Sequence, residues 1–599
     1  MSDTEPQQTT ADLIVERLTE WGVQRLYGYP GDGNNPLLGA LQRAPQGPRF
    51  IQAKHEESAA FMAVGEAKFT GSVGVVTSTQ GPGAVHLLTA LYDAKLDSAP
   101  VVALVAQQHT SVLGSDYQQE IDLPNLFHDV ASPFVQQVSA PEQLPMVLDR
   151  AFRSALANRQ PAVIILPHDL QQAPAPDLGQ AHGEVVTAPR WTTGHVRARD
   201  EDLDAAVQVI ESGARVAILA GRGMRHAWDE VIALAEHLGA GVTTSLLGKP
   251  YVDESHPLVA GTMGHLGTTA SARVLQECDT LIIIGSNDPW TEFYPAPGQA
   301  RAVQIDIDPA IIANRYPVEA GLIGESGPTV EALIARLVER GRTPWRTEVE
   351  RHVENWREIA RLRAEVAADP LNPELVVRRF GERLSPDSQV AIDVGSSVYH
   401  YVRQMRLPRG VPAHLSSTLA SMGCGVPFGI SAKESAPERP VAVVAGDGAM
   451  QMLGISDLIT VAERWPGWRD PRFVVLVSHN LDLAEVSWEQ REMESQPRFA
   501  ASQDLSRFDF AGYAELLGLR GIRVDARDSL DAALDQAFAA DRPVVIEART
   551  DRDVPLIPPF PHGREQVDAM RATLQAEGAA GTHARELLDV YAQIEEDHQ

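Results

Sequence analysis

The apolar run Val441–Val444 leads into Gly446-Asp447-Gly448, and a helical pattern begins near Met450. A second apolar run, Phe473–Val477, ends in Ser478-His479-Asn480-Leu481-Asp482. An aspartate at the end of a strand offers a hard anionic oxygen to Mg²⁺. Flanking glycines let the backbone come close, and the following helix N-terminus adds amide donors. An asparagine ending the neighbouring strand supplies a neutral oxygen at the same carboxyl edge, where open α/β sheets bind ligands. Gly-Asp-Gly alone is an ordinary turn. Paired with Asn480 it points to a metal-bound diphosphate. A second candidate is Glu56, within Lys54-His55-Glu56-Glu57-Ser58. In isolation it reads as a carboxylate complementing a helix dipole, worth ~0.3–1 kcal/mol.

These residues need sheets to position them. Arg25–Gly28, Val73–Thr77, Val101–Ala106 and Ala162–Pro167 are strand-like runs separated by helical stretches such as Ala11–Trp21. They predict parallel strands buried on both faces. A polar, proline-containing stretch over Gln171–Asp200 reads as a linker. A second unit follows, with Val216–Leu219, Leu281–Ile284 and Ala302–Ile307 as strands and Trp228–Leu238 as a helix. Charged helical sequence over Glu348–Ala367 leads to a boundary at Asp369-Pro370. In the third unit Val390–Val394, Val441–Val444, Phe473–Val477 and Val544–Glu547 are the expected strands, and Ile557-Pro558-Pro559-Phe560-Pro561 breaks regular structure. The expected fold is α/β, with three doubly wound parallel-sheet domains at 1–180, 190–345 and 365–555 and a helical C-terminal tail at 556–599. The first and third units match in size and order without a visible sequence repeat.

The bulk composition sets limits. A chain of 599 residues exceeds the roughly 250–300 that one core supports. A formal net charge of −29 disfavours nucleic acid and anionic membrane partners. No apolar run reaches the ~18 residues of a membrane span, so no stable membrane insertion is expected. The polar start, Met1–Thr10, and the two distant cysteines, Cys278 and Cys424, fit a cytoplasmic protein.

The run from Gly446-Asp447-Gly448 to Asn480 resembles the diphosphate motif of thiamine-diphosphate enzymes. The resemblance extends in order over roughly residues 10 to 555. Tyr29-Pro30-Gly31-Asp32 is similar to the opening loop of that family, and Lys54–Ala63 to its glutamate segment. Gln80-Gly81-Pro82-Gly83-Ala84 resembles its glycine-proline segment, Asp393-Val394-Gly395-Ser396 a diphosphate-contacting turn, and Ser417–Gly423 the segment that bends the cofactor. The resemblance implies Mg²⁺ held by Asp447, Asn480 and the Asp482 carbonyl. It implies thiamine diphosphate held by Glu56, Gly81, Pro82, Gly395, Ser396, Ala420, Ser421, Met422, Gly448 and Ala449 as well. Glu56 would activate the aminopyrimidine, and Met422 would wedge between the rings. Two departures stand out: His479 replaces the first asparagine of the usual pair, and the interval of 33 positions from Asp447 to Asn480 is long. Trp465-Pro466-Gly467-Trp468 looks like the insertion responsible.

Within that superfamily the pattern is most similar to the pyruvate oxidase and quinone-linked pyruvate dehydrogenase branch, with acetolactate synthase more distant. That branch implies a central domain holding FAD. Its candidates here are Lys249, Thr262, Met263, Gly264, His265, Arg273, Gly285, Ser286, Asn287, Asp288, Pro289 and Asp306. Glycines at strand ends admit a pyrophosphate, and an aspartate after a strand binds ribose hydroxyls. Val486 and Glu489 would face the substrate. Glu485 stands where the oxidases carry an aromatic residue, and an unprotonated carboxylate there would repel an anionic 2-oxo acid.

The expected activity is oxidative decarboxylation of a small 2-oxo acid, pyruvate first, to acetate or acetyl phosphate. Oxygen, a quinone or another carrier would serve as electron acceptor. A homo-oligomer is implied, at least a dimer and expected as a tetramer. The rivals are a non-oxidative carboligase of the acetolactate synthase type and a catalytically silent scaffold or sensor. The tail, with Leu587, Leu588, Tyr591 and Ile594 on one face and an acidic end, reads as packing against the body or a partner subunit.

Overall fold

The computed structural model describes residues 8–177, 179 and 182–598. Three six-stranded parallel sheets are built in chain order. The first contains β1 (Arg25–Gly28), β2 (Arg49–Gln52), β3 (Gly74–Ser78), β4 (Val101–Gln107), β5 (Val135–Gln137) and β6 (Pro161–Pro167), in the order β2-β1-β3-β4-β6-β5. The second contains β7 (Val216–Ala220), β8 (Gly241–Thr244), β9 (Val259–Thr262), β10 (Thr280–Ile284), β11 (Arg301–Asp306) and β12 (Ala320–Ile323), in the order β12-β11-β10-β7-β8-β9. The third contains β13 (Gln389–Ile392), β14 (Ala413–His414), β15 (Val441–Gly446), β16 (Phe473–His479), β17 (Arg520–Val524) and β18 (Val544–Arg549), in the order β14-β13-β15-β16-β18-β17.

Numbered from their own first strands, the first and third sheets share the order 2-1-3-4-6-5. They repeat one topology without repeating a sequence. The second has the order 3-2-1-4-5-6 when read from its other edge, which is the dinucleotide-binding arrangement. The central strands are the unbroken apolar runs of the sequence. β4, β6, β7 and β10 are buried at every residue, as strands covered by helices on both faces must be.

The first and third sheets share a hydrophobic core. Its seam is the helix Glu56–Thr70 lying against the helix Gly425–Ser435, with Phe61 meeting Phe428 edge-on at 5.8 Å. Gly65 permits the approach, since a Cβ there would fall 2.2 Å from Ser431 Oγ. One turn on, the buried Lys68 Nζ donates to Asp93 at 2.7 Å, Asp97 at 2.8 Å and the Leu415 carbonyl at 2.7 Å. Asp97 in turn accepts the Ser417 and Thr418 amides, both at 2.9 Å. A charged knot on the first sheet's helices thereby fixes the segment leading to Met422.

The tail forms two helices, Gly563–Ala576 and Thr582–Asp597, packed on Trp488 and Tyr399. Its acidic end is not wholly a solvated face. Glu595 lies one turn beyond Tyr591 on the buried stripe, 3.4 Å from Arg363 Nη1, and accepts from Thr269 Oγ1 at 2.8 Å. Among the described residues no helix is long and apolar enough to cross a membrane.

Replacing Lys68 by Met leaves Asp93 and Asp97 buried without their cation. Breaking such a buried pair costs about 3–5 kcal/mol. The urea midpoint should fall accordingly, and an unchanged midpoint would show that the knot contributes nothing.

Candidate active site

Asp447 follows the end of β15, and its carboxyl is almost fully buried. Oδ2 accepts the backbone amides of Leu481 at 2.7 Å and Asn480 at 3.1 Å, and Oδ1 accepts that of Gly448 at 3.1 Å. These three donors come from two neighbouring strand ends in register, because Gly446 pairs with Ser478. Burial pushes the Asp447 carboxyl up to about 6 despite the amides. The position suits a carboxylate kept ionised by a bound cation.

Asn480 Oδ1 accepts the Asp482 amide at 2.9 Å, folding the loop on itself, and Leu481 takes a left-handed φ of 60°. The Asp482 side chain is held by Arg498, with Nε at 3.0 Å and Nη2 also donating. That oxygen of the Asp482 carboxylate is thus engaged by a guanidinium. His479 also has a structural account. Its Nδ1 lies 3.0 Å from the buried Glu547, and its Nε2 lies 4.0 Å from Asp447 Oδ2 with no hydrogen-bond partner. The Trp465–Gly467 turn leads into Trp468, which stacks on Phe473 at 5.4 Å.

The neighbouring turns leave room beside this carboxyl edge. Gly395 has φ 129°, and a Cβ there would find only Glu485 Oε2, at 4.0 Å; at Gly446 it would find nothing within 4 Å. Ser396 starts the helix Ser396–Gln404. Asp393 pins the Met422 loop by accepting the Val394, Gly423 and Gly425 amides at 2.8, 2.7 and 2.8 Å. In that loop Ala420 has φ 56°, and Ser421 donates its amide to Ser416 Oγ at 3.0 Å. The Met422 methyl would be 3.3 Å from a Cβ at Gly448, next to the buried Ala449, so Met422 overhangs Gly448. An open glycine turn, a buried carboxyl and an unpartnered imidazole nitrogen fit a metal-bound diphosphate.

Glu56 opens its helix on the first sheet. Its Oε2 lies 2.9 Å from His86 Nδ1. His55 Nδ1 accepts the Glu57 amide at 3.2 Å, capping the helix, and the His55 ring lies against His86 at 4.4 Å. A Cβ at Gly83 would fall 3.1 Å from Glu56 Oε1, so glycine keeps that oxygen accessible. Gly81 has φ 60° and Pro82 starts the short helix that carries His86. Within one chain no hydrogen bond or ion pair among the described residues joins Glu56 to Asp447.

The flavin candidates divide. Gly285, Ser286, Asn287 and Asp306 gather at the carboxyl ends of β10 and β11, where Ser286 Oγ is buried without a partner. Burial raises the Asp306 carboxyl, and lifts Asp288 to about 6 as Asp288 caps the Trp290 amide ahead of Pro289. Thr262 bonds Thr244 at 3.1 Å, and Met263 donates its amide to the Thr244 carbonyl at 2.8 Å. Gly264 has φ 91° beneath Trp290. This edge fits a dinucleotide. Lys249 lies elsewhere, buried with Nζ on Glu254 at 2.6 Å and over the Tyr401 ring. Arg273 lies within the helix Thr269–Glu277.

His265 links this edge to the helix Ala484–Glu492. Its Nε2 is 3.3 Å from Glu492, and its ring stacks on Trp290 at 5.6 Å. Burial raises the Glu489 carboxyl against the pull of His265. Val486 is half exposed. Burial, then Glu489, pushes the Glu485 carboxyl up to about 7. His86 and the bracing residues Arg498 and Glu577 escaped the sequence reading, because only the fold brings them to the site.

Glu577, from the tail, receives Arg491 Nε and Nη2 at 2.9 and 3.0 Å and the Arg498 amide at 2.9 Å. Replacing Glu577 by Ala frees the Arg491 guanidinium and removes the acceptor of the Arg498 backbone amide, loosening the Asp482 loop that Arg498 holds. Affinity for Mg²⁺–thiamine diphosphate should fall about tenfold by calorimetry, the loss of one charged hydrogen-bond set. Unchanged affinity would mean that the loop holds itself.

Three family models match in sequence order. They are the thiamine pyrophosphate enzyme N-terminal TPP binding domain over residues 8–126, the central domain over 203–333 and the C-terminal TPP binding domain over 393–548. The chain is 34% identical over 550 residues to the thiamine pyrophosphate-containing protein YdaP of Bacillus subtilis, covering 92% of this chain and 93% of that one. It is 31% identical over 548 residues to the pyruvate oxidase of Lactiplantibacillus plantarum, covering 91% and 89%. It is 29% identical over 575 residues to the acetolactate synthase isozyme 2 large subunit of Escherichia coli, covering 94% and 99%. With two glycine-lined carboxyl edges, the Asp447–Asn480 pair and Glu56 all in place, the chain belongs to the thiamine-pyrophosphate enzyme family that acts on 2-oxo acids.

Proposed function

We propose that the protein uses thiamine diphosphate, Mg²⁺ and FAD to decarboxylate a small 2-oxo acid oxidatively, pyruvate being the first candidate, giving acetate or acetyl phosphate. The observation that carries this reading is the contact between the two edges: His265, on the loop after β9, meets the helix bearing Glu485, Glu489 and Glu492. Electrons leaving a substrate over that helix would have a short path to a dinucleotide on the 3-2-1-4-5-6 sheet. When bound, thiamine diphosphate supplies an electron sink for the departing CO₂, and FAD a two-electron acceptor.

The protein's own groups prepare that chemistry. Asp447 and Asn480 would hold the metal with the Asp482 carbonyl, while the Gly395-Ser396 turn receives the diphosphate. Met422, which overhangs Gly448, would pack against the bound cofactor. Glu56 would meet the cofactor through Oε1, which Gly83 leaves uncrowded, while His86 lies 2.9 Å from its other oxygen. Among the described residues no hydrogen bond or ion pair joins Glu56 to Asp447 within one chain, and in the proposed enzyme the site would be completed across subunits of at least a dimer.

Glu485 governs substrate capture. It faces the Gly395 turn, with Glu489 on its own helix and Tyr399 on the adjacent one. Below about pH 7 its carboxyl is neutral; above, its charge opposes an anionic substrate. The acid limb of kcat/KM should therefore exceed the alkaline limb in the wild type, and Glu485→Gln should flatten that difference. A profile unaltered by the substitution would remove Glu485 from the site.

The anaerobic absorbance spectrum of the reconstituted protein tests the reading as a whole. Pyruvate should bleach the oxidised-flavin band and yield acetate or acetyl phosphate. A flavin that stays yellow while pyruvate becomes a branched hydroxy acid would assign the carboligase activity instead, in keeping with the likeness to acetolactate synthase. Glu56→Gln should abolish turnover with folding intact; retained turnover would also exclude the proposed role of Glu56.

A further inference from the structure

A cavity of about 440 Å³ lies between the central and third sheets, away from the carboxyl edges described above. Its walls come from β9, the long helix Pro344–Glu365, the helix Pro373–Gly381 and the end of the helix Ser396–Gln404 with the following Met405–Pro408 segment. Five cationic side chains line it, Lys249, Arg357, Arg378, Arg403 and Arg406, against two carboxylates, Glu254 and Glu382. Glu254 is committed to Lys249 at 2.6 Å. Glu382 is shared among Arg378 at 3.7 Å, Arg379 at 3.1 Å and Arg383 at 4.0 Å.

Positive charge therefore accumulates in this one cleft of a chain whose formal net charge is −29. Arg406 takes part in no hydrogen bond or ion pair among the described residues. Arg403 is buried, and its Nε and Nη2 donate to the carbonyls of Leu266, Gly267 and His265, yet its Nη1 is buried with no hydrogen-bond partner among the described residues. Arg357 gives Nη2 to the carbonyls of Glu254, Ser255 and His256, leaving Nη1 only a distant Glu354 at 3.9 Å. Burial and then Arg406 pull the Arg357 guanidinium down; burial does the same at Arg378, with Arg406 adding to it. Like charges held together this way are relieved by a bound anion. Trp356, Val353 and Leu407 supply apolar wall, so the space suits more than a bare inorganic ion.

We propose that this cavity binds a compact organic polyanion, carrying phosphate or several carboxylates, at a site separate from the active centre. Guanidinium groups suit both chemistries, since their planar forks engage phosphate and carboxylate bidentately. The site is placed to communicate with the cofactor edge: the helix Ser396–Gln404 begins at the Gly395 turn and ends in the cavity wall, and Arg403 grips the His265 loop.

The test is calorimetric titration of the holoprotein, saturated with thiamine diphosphate, Mg²⁺ and FAD, with AMP and separately with tricarballylate. At least one should bind with a Kd below about 1 mM, and which one binds distinguishes phosphate from polycarboxylate recognition. Arg406→Glu, at an exposed position, should weaken that binding about tenfold or more, as loss of a charge-assisted contact does, while basal turnover without the anion stays at the wild-type level. Arg378→Glu should act in the same direction. Failure of both probes to bind, binding unaffected by either charge reversal, or binding seen only when FAD is omitted would each overturn the proposal.

Discussion

Burying the Asp447 carboxyl at the end of β15 is the constraint around which the rest of the catalytic edge is arranged. A desolvated carboxylate is costly unless charge and hydrogen bonds answer it. Three backbone amides do so from two adjacent strand ends, and the left-handed Leu481 turns its own amide inward. A divalent cation would answer the remaining charge. The loop that would complete the metal's coordination is held from behind, through Asp482 to Arg498 and from there to Glu577 of the tail. The C-terminal helices thus serve as a brace for the site, some 80 residues from it in sequence (Arg498 to Glu577, a separation of 79).

The same economy of topology appears at larger scale. The first and third sheets share one strand order, yet they present different carboxylates, Glu56 at a helix start and Asp447 after a strand end. Their common core and the Lys68 knot join the two halves. The central sheet has the other doubly wound order and meets the third through the His265 loop and Arg403. The helix Ser396–Gln404 runs from the Gly395 turn of the third sheet to Arg403, which donates to the carbonyls of the His265 loop.

Much of this was legible in the residues. β4, β7, β10 and β16 are unbroken apolar runs, and the helix Trp228–Leu238 begins and ends where its pattern does. Strands that are short or lie at sheet edges were not legible: β2, β5 and the two-residue β14 are too brief to show a period, and β17 is only partly buried. At the candidate site, Asp447, Asn480 and Glu56 are singled out by local spacing and by resemblance. His86 did not, because it lies 30 residues from Glu56 and meets it only after folding. The partner of Lys249 was not legible either: its Nζ donates to Glu254 at 2.6 Å, a pairing that spacing alone does not announce. Glu595 read as part of an acidic end, although its place one turn after Tyr591 puts it on the buried stripe.

Asp447 is proposed as the carboxylate through which a metal fixes thiamine diphosphate. Equilibrium binding of thiamine diphosphate to the wild type and to Asp447→Asn, each with Mg²⁺ and with a chelator, measures it directly. The account predicts tight binding only for the wild type with Mg²⁺, and a loss of about a hundredfold in Asp447→Asn, the scale of two charge-assisted contacts, with the thermal melt of the apoprotein not lowered. Equal, metal-independent binding by both proteins would contradict it.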